Sequence, residues 1–282
     1  MHRSITSLIA DAESTGRTLP RVVLDAEAAE SGRSEAEIRE RVARTLAVMR
    51  MAIDEGLVGE ARSPSGLTGG RAKRLWEDGP RLLGPRVTAT LARAISTLEV
   101  NAAMGLIVAA PTAGAAGVLP AILISAGEFI EADDERLVDA MLVAGGVGGV
   151  VAHRASLSGA EGGCQAETGT AAAMGAAAVT WLAGGTNAQI ETSIALSLQG
   201  MLGLIIYRNA SAAMQAIAAA EMALAGLDFP VTADEVIDVM GEVGRKMPVA
   251  YRETALGGLA ATPSARRLFQ LKPSDRPTGV SG

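Results

Sequence analysis

The 282-residue chain has a single cysteine, Cys164. That excludes an intrachain disulfide framework and a metal site built from the chain's own cysteines. Aromatic residues make up 2% of the sequence against 49% hydrophobic residues in all, so the apolar mass comes from Ala, Val, Leu, Ile and Met alongside 33 glycines. A core of that kind brings backbones close together through small side chains. Concentrated positive charge is also lacking: the 25 Lys and Arg are scattered, the net charge is −6 and the isoelectric point is near 5.1. Phosphate recognition needs a clustered basic surface, so nucleic acid is not an expected partner. Met1-His2-Arg3-Ser4 lacks the apolar run of a secretory signal, and with one thiol in the chain the expected compartment is the cytoplasm.

Two stretches carry no charge, one between Glu99 and Glu128 and the other between Glu167 and Glu191, and each is long enough to span a membrane. The first is interrupted by Pro111 and Pro120, and the second is mostly Ala, Gly and Thr with one Leu and one Trp. Segments so weakly apolar insert poorly. The expectation is a soluble protein with no membrane partner, in which both runs are helices buried on all sides. An integral membrane protein is an alternative supported by these runs alone.

Residues 1–56 read as an N-terminal region of amphipathic helices. Ile5, Leu8 and Ile9 sit at helical spacing, and Ser34 precedes Glu37 as a capping box ahead of a helix over 38–51. From 57 to 271 apolar helical patterns alternate with polar, glycine-rich islands, which suits one main domain, and residues 272–282 read as a frayed tail. The helical patterns cover 87–109, 118–130 with Pro120 in the first turn, 137–151, 170–182, 190–206, 209–225 and 234–243. Alternating strand patterns are scarce. The predicted fold class is therefore all-α, a compact multi-helix bundle with Gly-rich loops between buried helices.

Three of those loops suit a small anion: Ser65 to Gly70, Pro111 to Gly117 and Ser156 to Gly163. Amides at a helix N-terminus satisfy a carboxylate without a basic side chain, although glycine-rich turns between helices also serve as packing joints. No strand precedes a matching glycine pattern, so there is no dinucleotide fingerprint and no phosphate loop. The third island gathers His153, Arg154, Ser156, Ser158, Glu161, Cys164, Gln165 and Glu167. Polar groups placed between apolar helices need partners, and a ligand or a metal is one kind of partner. Taken alone, Cys164 reads as a small buried hydrophobe; as a nucleophile it would need a histidine base, for which His153 is the candidate. Glu161 and Glu167 read equally as solvated turn and helix-start residues.

Four motifs in order give the chain a resemblance: Ser65-Gly66-Leu67-Thr68-Gly69-Gly70, Ala109-Ala110-Pro111-Thr112-Ala113-Gly114, Ser158-Gly159-Ala160-Glu161-Gly162-Gly163-Cys164-Gln165-Ala166-Glu167, and Arg252-Glu253-Thr254-Ala255-Leu256-Gly257-Gly258 continuing to Pro263. From near the N-terminus to about Leu268 the sequence resembles the alpha subunit of iron-sulfur-dependent L-serine dehydratases. The resemblance implies a helical, oligomeric catalytic subunit, paired with a separate or fused beta subunit, that converts L-serine to pyruvate and ammonia. It implies a four-iron, four-sulfur cluster and no pyridoxal phosphate. Three thiolates would hold the cluster, and its open iron would act as a Lewis acid on the substrate hydroxyl. By the same resemblance Cys164 is a cluster ligand. The carboxylate of L-serine, or of a similar small amino acid, would meet Ser65, Thr68, Gly69, Thr112, Gly114, Ser156 and Ser158, with Arg252 as a charge partner.

One departure stands out. In the family the other cluster cysteines lie between a Met-Leu-Gly-Leu-like helix and an Arg-Asn-Ala sequence. Here Met201-Leu202-Gly203-Leu204-Ile205 runs directly into Ile206-Tyr207-Arg208-Asn209-Ala210, so that segment is absent rather than substituted. A single thiolate is too little for a four-iron cluster, and His153, Glu161 and Glu167 are poor replacements for soft sulfur. The missing ligands would have to come from a partner chain, and the apolar junction Leu204-Ile205-Ile206 would help fill the vacated space. The alternative is a non-catalytic homologue that keeps the scaffold to bind an amino acid or a beta-type partner.

Overall fold

The computed structural model describes residues 2–66, 68–202, 209–226, 230–252 and, beyond these, 254, 256, 261, 263, 266 and 267. They form helices joined by turns, with no strand among the described residues, in agreement with the all-α expectation. The tail over 272–282 and the junction Leu204-Ile205-Ile206 lie outside the described residues.

Local signals account for most helix ends. Helix α1 (Ile5–Thr15) starts at a Ser4 capping box and stops at Gly16 with φ 67°, and α2 (Leu19–Ser31) carries Pro20 in its first turn and stops at Gly32 with φ 70°. The Ser34 and Glu37 capping box opens α3 (Glu35–Val58), longer than the predicted helix because nothing interrupts it before Gly59. A short helix α4 (Arg71–Asp78) follows the first glycine-rich loop, then α5 (Pro85–Ala102). The sequence pattern runs this last helix to 109, but the chain turns at Met104 with φ 64°, and the Gly105 amide donates back to the Val100 carbonyl at 2.9 Å.

Helix α6 (Val118–Ile130) matches its predicted span, and α7 (Asp134–Arg154) is capped by Asp133, whose side chain accepts from the Arg136 amide. A single turn, α8 (Gly159–Gly162), precedes α9 (Cys164–Leu182), which begins well before the predicted start at Thr170. Capping boxes at Thr186 with Gln189 and at Thr232 with Glu235 open α10 (Asn187–Gln199) and α12 (Ala233–Lys246), with α11 (Asn209–Leu224) between them.

Helix α9 lies at the centre, packed by α7, α10, α11 and α6. Of its residues only Glu167 and Trp181 are not buried. Its Ala, Gly and Thr side chains are short enough for neighbours to close on every side. The second uncharged run is thus mostly the core helix α9, and the first contributes most of α6. Ala113–Ile130 and Asp134–Arg154 have the length and mean hydropathy of a membrane span, 1.7 and 1.3, yet 56% and 61% of the apolar window is buried against the rest of the chain. N-terminal residues join the same core, since Ile5, Leu8 and Leu19 cluster with Ile122, Leu182, Ile194 and Ile237. Asp234 of α12 ties the first helix in place. Its carboxylate accepts from the Ile5 amide at 2.8 Å, the Thr6 amide at 3.0 Å and the Thr6 hydroxyl at 2.7 Å, satisfying donors that a helix start leaves open.

Helices α3 and α5 touch almost backbone to backbone at Gly56, where a Cβ would stand 2.4 Å from the Ser96 carbonyl oxygen. Gly56→Ala should therefore lower stability by about 1–3 kcal/mol through overpacking, although alanine is the better helix former. Urea denaturation followed by circular dichroism checks this, and an unchanged or higher midpoint would contradict so close an approach.

Candidate active site at the first turn of helix α9

The loop before α4 folds on itself: Thr68 donates its amide to the Ser63 hydroxyl at 3.2 Å, and Ser63 returns its amide to the Thr68 carbonyl at 3.1 Å. Ser65 lies within the turn, its hydroxyl 3.0 Å from that of Ser63. Gly69 has φ 140° and backs onto the Ala61 carbonyl, so it shapes the turn. The first amides of α4 do not await a ligand. Buried Glu99 of α5 accepts from Arg71 at 3.0 Å and Ala72 at 3.3 Å, placing a carboxylate at that helix start. The Thr68 hydroxyl, by contrast, is enclosed and has no hydrogen-bond partner. The residue lines a cleft of about 380 Å³ together with Arg71, Glu99, Gly114 and Asn209.

The second glycine-rich loop forms the facing wall and is held from three directions. The Thr112 hydroxyl donates to the Glu167 carboxylate of α9. Asn209, at the start of α11 and 3% exposed, donates to the Gly114 carbonyl at 2.9 Å and accepts from the Gly117 amide at 3.0 Å. Asn101 donates to the Ala113 carbonyl at 3.0 Å. A Cβ on Gly114 would lie 2.6 Å from a Glu167 oxygen, so any larger residue there would displace that carboxylate from its present position.

The third island opens onto a different cleft, of about 350 Å³, lined by Ser156, Glu161, Gly162, Arg245 and Arg252. The Ser156 hydroxyl donates to Glu161 and accepts from the Ser158 amide at 3.0 Å. Arg252 gives two donors to the Met247 and Arg245 carbonyls, each at 2.8 Å, which fixes its guanidinium at the end of α12. His153 lies apart from this cleft, in an open hollow shared with His2 and Glu30, and Arg154 is paired with Asp238.

Between the clefts stands the first turn of α9. Cys164 is its first residue, 6% exposed. One turn on, Glu167 reaches the Thr112 loop while Ala166 lines the second cleft. The structure thus brings Thr68 and Gly114 to one cleft and Ser156 and Arg252 to another, while Thr112 lines neither and is bonded to Glu167. The ends of the junction meet the same region: a Cβ on Gly169 of α9 would touch Met201, and Asn209 holds the second loop.

A four-iron cluster does not fit this chain's own donors. Such clusters take their hold from several thiolates, and Cys164 is the only cysteine. Among the described residues no group of three His, Cys, Asp or Glu side chains could hold a metal, and the nearby carboxylates of Glu161 and Glu167 already accept from Ser156 and Thr112.

Sequence reasoning did not single out Glu99 and Asn209. Glu99 carried one signal, as the last charge before a long uncharged run, and Asn209 another, as the polar residue opening an apolar helix.

The helical scaffold sets its glycine-rich loops around the start of a buried central helix, with one cleft beside the first two loops and another beside the third. The family follows from comparison: a family model described as serine dehydratase alpha chain matches residues 14–260, and the chain belongs to that family. It is 41% identical over 283 residues to a probable L-serine dehydratase, alpha chain, of Bacillus subtilis, covering 95% of this chain and 94% of the relative. It is 38% identical over 262 residues to the L-serine dehydratase, alpha chain, of Peptoniphilus asaccharolyticus, covering 88% and 90%. Against L-serine dehydratase 1 of Escherichia coli it is 35% identical over 279 residues, covering 92% of this chain but 61% of that longer relative.

Asn209 makes the clearest test of the site's construction. Asn209→Ala leaves the Gly117 amide and the Gly114 carbonyl without their partner and should cost about 2–4 kcal/mol, since each unsatisfied buried group costs about 1–3 kcal/mol. Asn209→Asp keeps the acceptor for Gly117 and should lose less. Equal losses in chemical denaturation, or none, would show that the loop is held otherwise.

Proposed function

We propose that this chain is the alpha-type subunit of an L-serine dehydratase, acting on L-serine or a similarly small hydroxy amino acid in the cleft beside the first turn of α9. The observation that carries this reading is the enclosed, unpartnered Thr68 hydroxyl facing the Gly114 loop across a cleft of amino-acid size. A buried hydroxyl without a partner is costly, and a substrate oxygen would satisfy it. The carboxylate of the substrate lies toward Thr68, the loop amides and Arg71. Its ammonium lies toward the acidic side set by Glu99 and Glu167. Ser65 and Thr112 then act through the loops they brace, while Ser156, Ser158 and Arg252 serve the second cleft. The reaction removes the α-proton and the β-hydroxyl as water, and the resulting enamine hydrolyses to pyruvate and ammonia. We place the protein in the cytoplasm, where a lone thiol stays reduced.

The family resemblance carries an iron-sulfur cluster with it, and Cys164 alone cannot hold one. We therefore propose that turnover requires a beta-type partner that completes the site. The single cysteine also favours a second reading, in which the chain is a non-catalytic homologue that binds the amino acid and does not turn it over.

Anaerobic purification with and without a co-expressed beta partner separates the two. Stoichiometric iron and sulfide with serine turnover only in the presence of the partner supports the first reading. A metal-free complex that still binds serine in calorimetry supports the second. A chain that binds no serine in either state would overturn both.

A further inference from the structure

Away from α9, a cavity of about 250 Å³ opens between α2, α3 and α7. Its floor is apolar, made by Val23 of α2, Ile38 and Val42 of α3, and Leu142 of α7. The ionisable groups are Glu27, Arg33 and Arg41 at the rim and His2, which is held by the Asp11 carboxylate at 3.0 Å. Four other arginines of this region, Arg17, Arg21, Arg39 and Arg44, each hold a carboxylate. Among the described residues, Arg33, Arg41 and Glu27 form no salt bridge. Arg33 acts on Glu37 only as the last of the causes that hold that carboxyl below its ordinary range, and Glu37 is itself bound to Ser34.

Helix α7 contributes Gly145 and Gly146 to the wall, and the two glycines differ. Gly146 is required by packing, because a Cβ there would stand 2.7 Å from a Val23 methyl. At Gly145 a Cβ would meet nothing within 4 Å, and φ is not positive. Glycine inside a helix is destabilising relative to alanine, and here neither a turn nor a close contact explains it. What the bare position does is keep the cavity open. A residue that lowers stability while preserving an empty space is the trade expected at a binding site.

We propose that this cavity binds a small aliphatic α-amino acid of the leucine type. The branched side chain fills the apolar floor, the carboxylate meets the unpaired guanidinium groups of Arg33 and Arg41, and the ammonium meets Glu27. The volume is slightly below the range of sites for drug-sized ligands, which suits a single amino acid. Arginine presents a planar fork matched to a carboxylate, and the rim carries both signs that a zwitterion needs.

Isothermal titration of the full chain with L-leucine tests the proposal, run alongside 4-methyl-2-oxopentanoate, which has the same tail and carboxylate but no ammonium. Leucine should bind more tightly than the keto acid, and excess L-serine should leave that binding in place. Gly145→Leu, which fills the cavity, and Arg41→Glu, which reverses the charge of the rim, should each weaken leucine binding by at least about tenfold, near 1.4 kcal/mol. Gly145→Ala should raise the melting temperature, which shows that the helix tolerates a side chain at this position. Absence of leucine binding, or binding that survives both Gly145→Leu and Arg41→Glu, would overturn the site. Equal or tighter binding of the keto acid would overturn its assignment to an amino acid.

Discussion

The candidate active site is placed by the burial of α9. A helix can be enclosed on nearly all sides only if its side chains are short, and from Thr168 to Val179 this one offers Thr, Gly, Ala, Met and Val. Four neighbouring helices close on it. Short side chains along α9 let its neighbours approach closely, and the loops at their ends come close with them. The first turn of α9 is where the packing has to stop, since Glu167 is the one charged side chain on the helix and it faces the Thr112 loop.

That arrangement explains the division of labour among the glycine-rich loops. The loop before α4 carries the enclosed, unpartnered hydroxyl of Thr68, while Glu99 fills the helix start that would otherwise take an anion. The Pro111 to Gly117 loop is a wall, fixed by Glu167, Asn101 and Asn209. Asn209 opens α11 and sets this wall, and Cys164 stands at the head of α9, one turn before the Glu167 that holds the same wall.

Much of the fold was legible in the sequence because its causes are local. Ser34 with Glu37, Pro120 in a first turn and the glycines after α1 and α2 act within a few residues, and the corresponding helix starts or ends follow. The helix predicted to run to 109 overran because the apolar pattern continues past the turn at Met104. Helix α4 escaped notice because its eight mostly charged residues sit between glycines. At the site, the four motifs were visible as strings, while the approach of the second and third glycine-rich loops to the first turn of α9 was not. The supports were not visible, because Asn209 reaches 92 and 95 residues back along the chain and Glu99 reaches 28 and 27. Arg252 illustrates the opposite limit: its charge suggested a substrate partner, while its neighbours hold two of its donors on carbonyls.

The central claim is that separate loops form one amino-acid cleft at the first turn of α9. Hydrogen exchange with and without saturating L-serine tests it most directly. The account predicts that protection increases together in residues 68–72, 112–117 and 164–168 while the α2, α3 and α7 cavity is unchanged. Protection confined to one of those segments, or found only elsewhere in the chain, would contradict it.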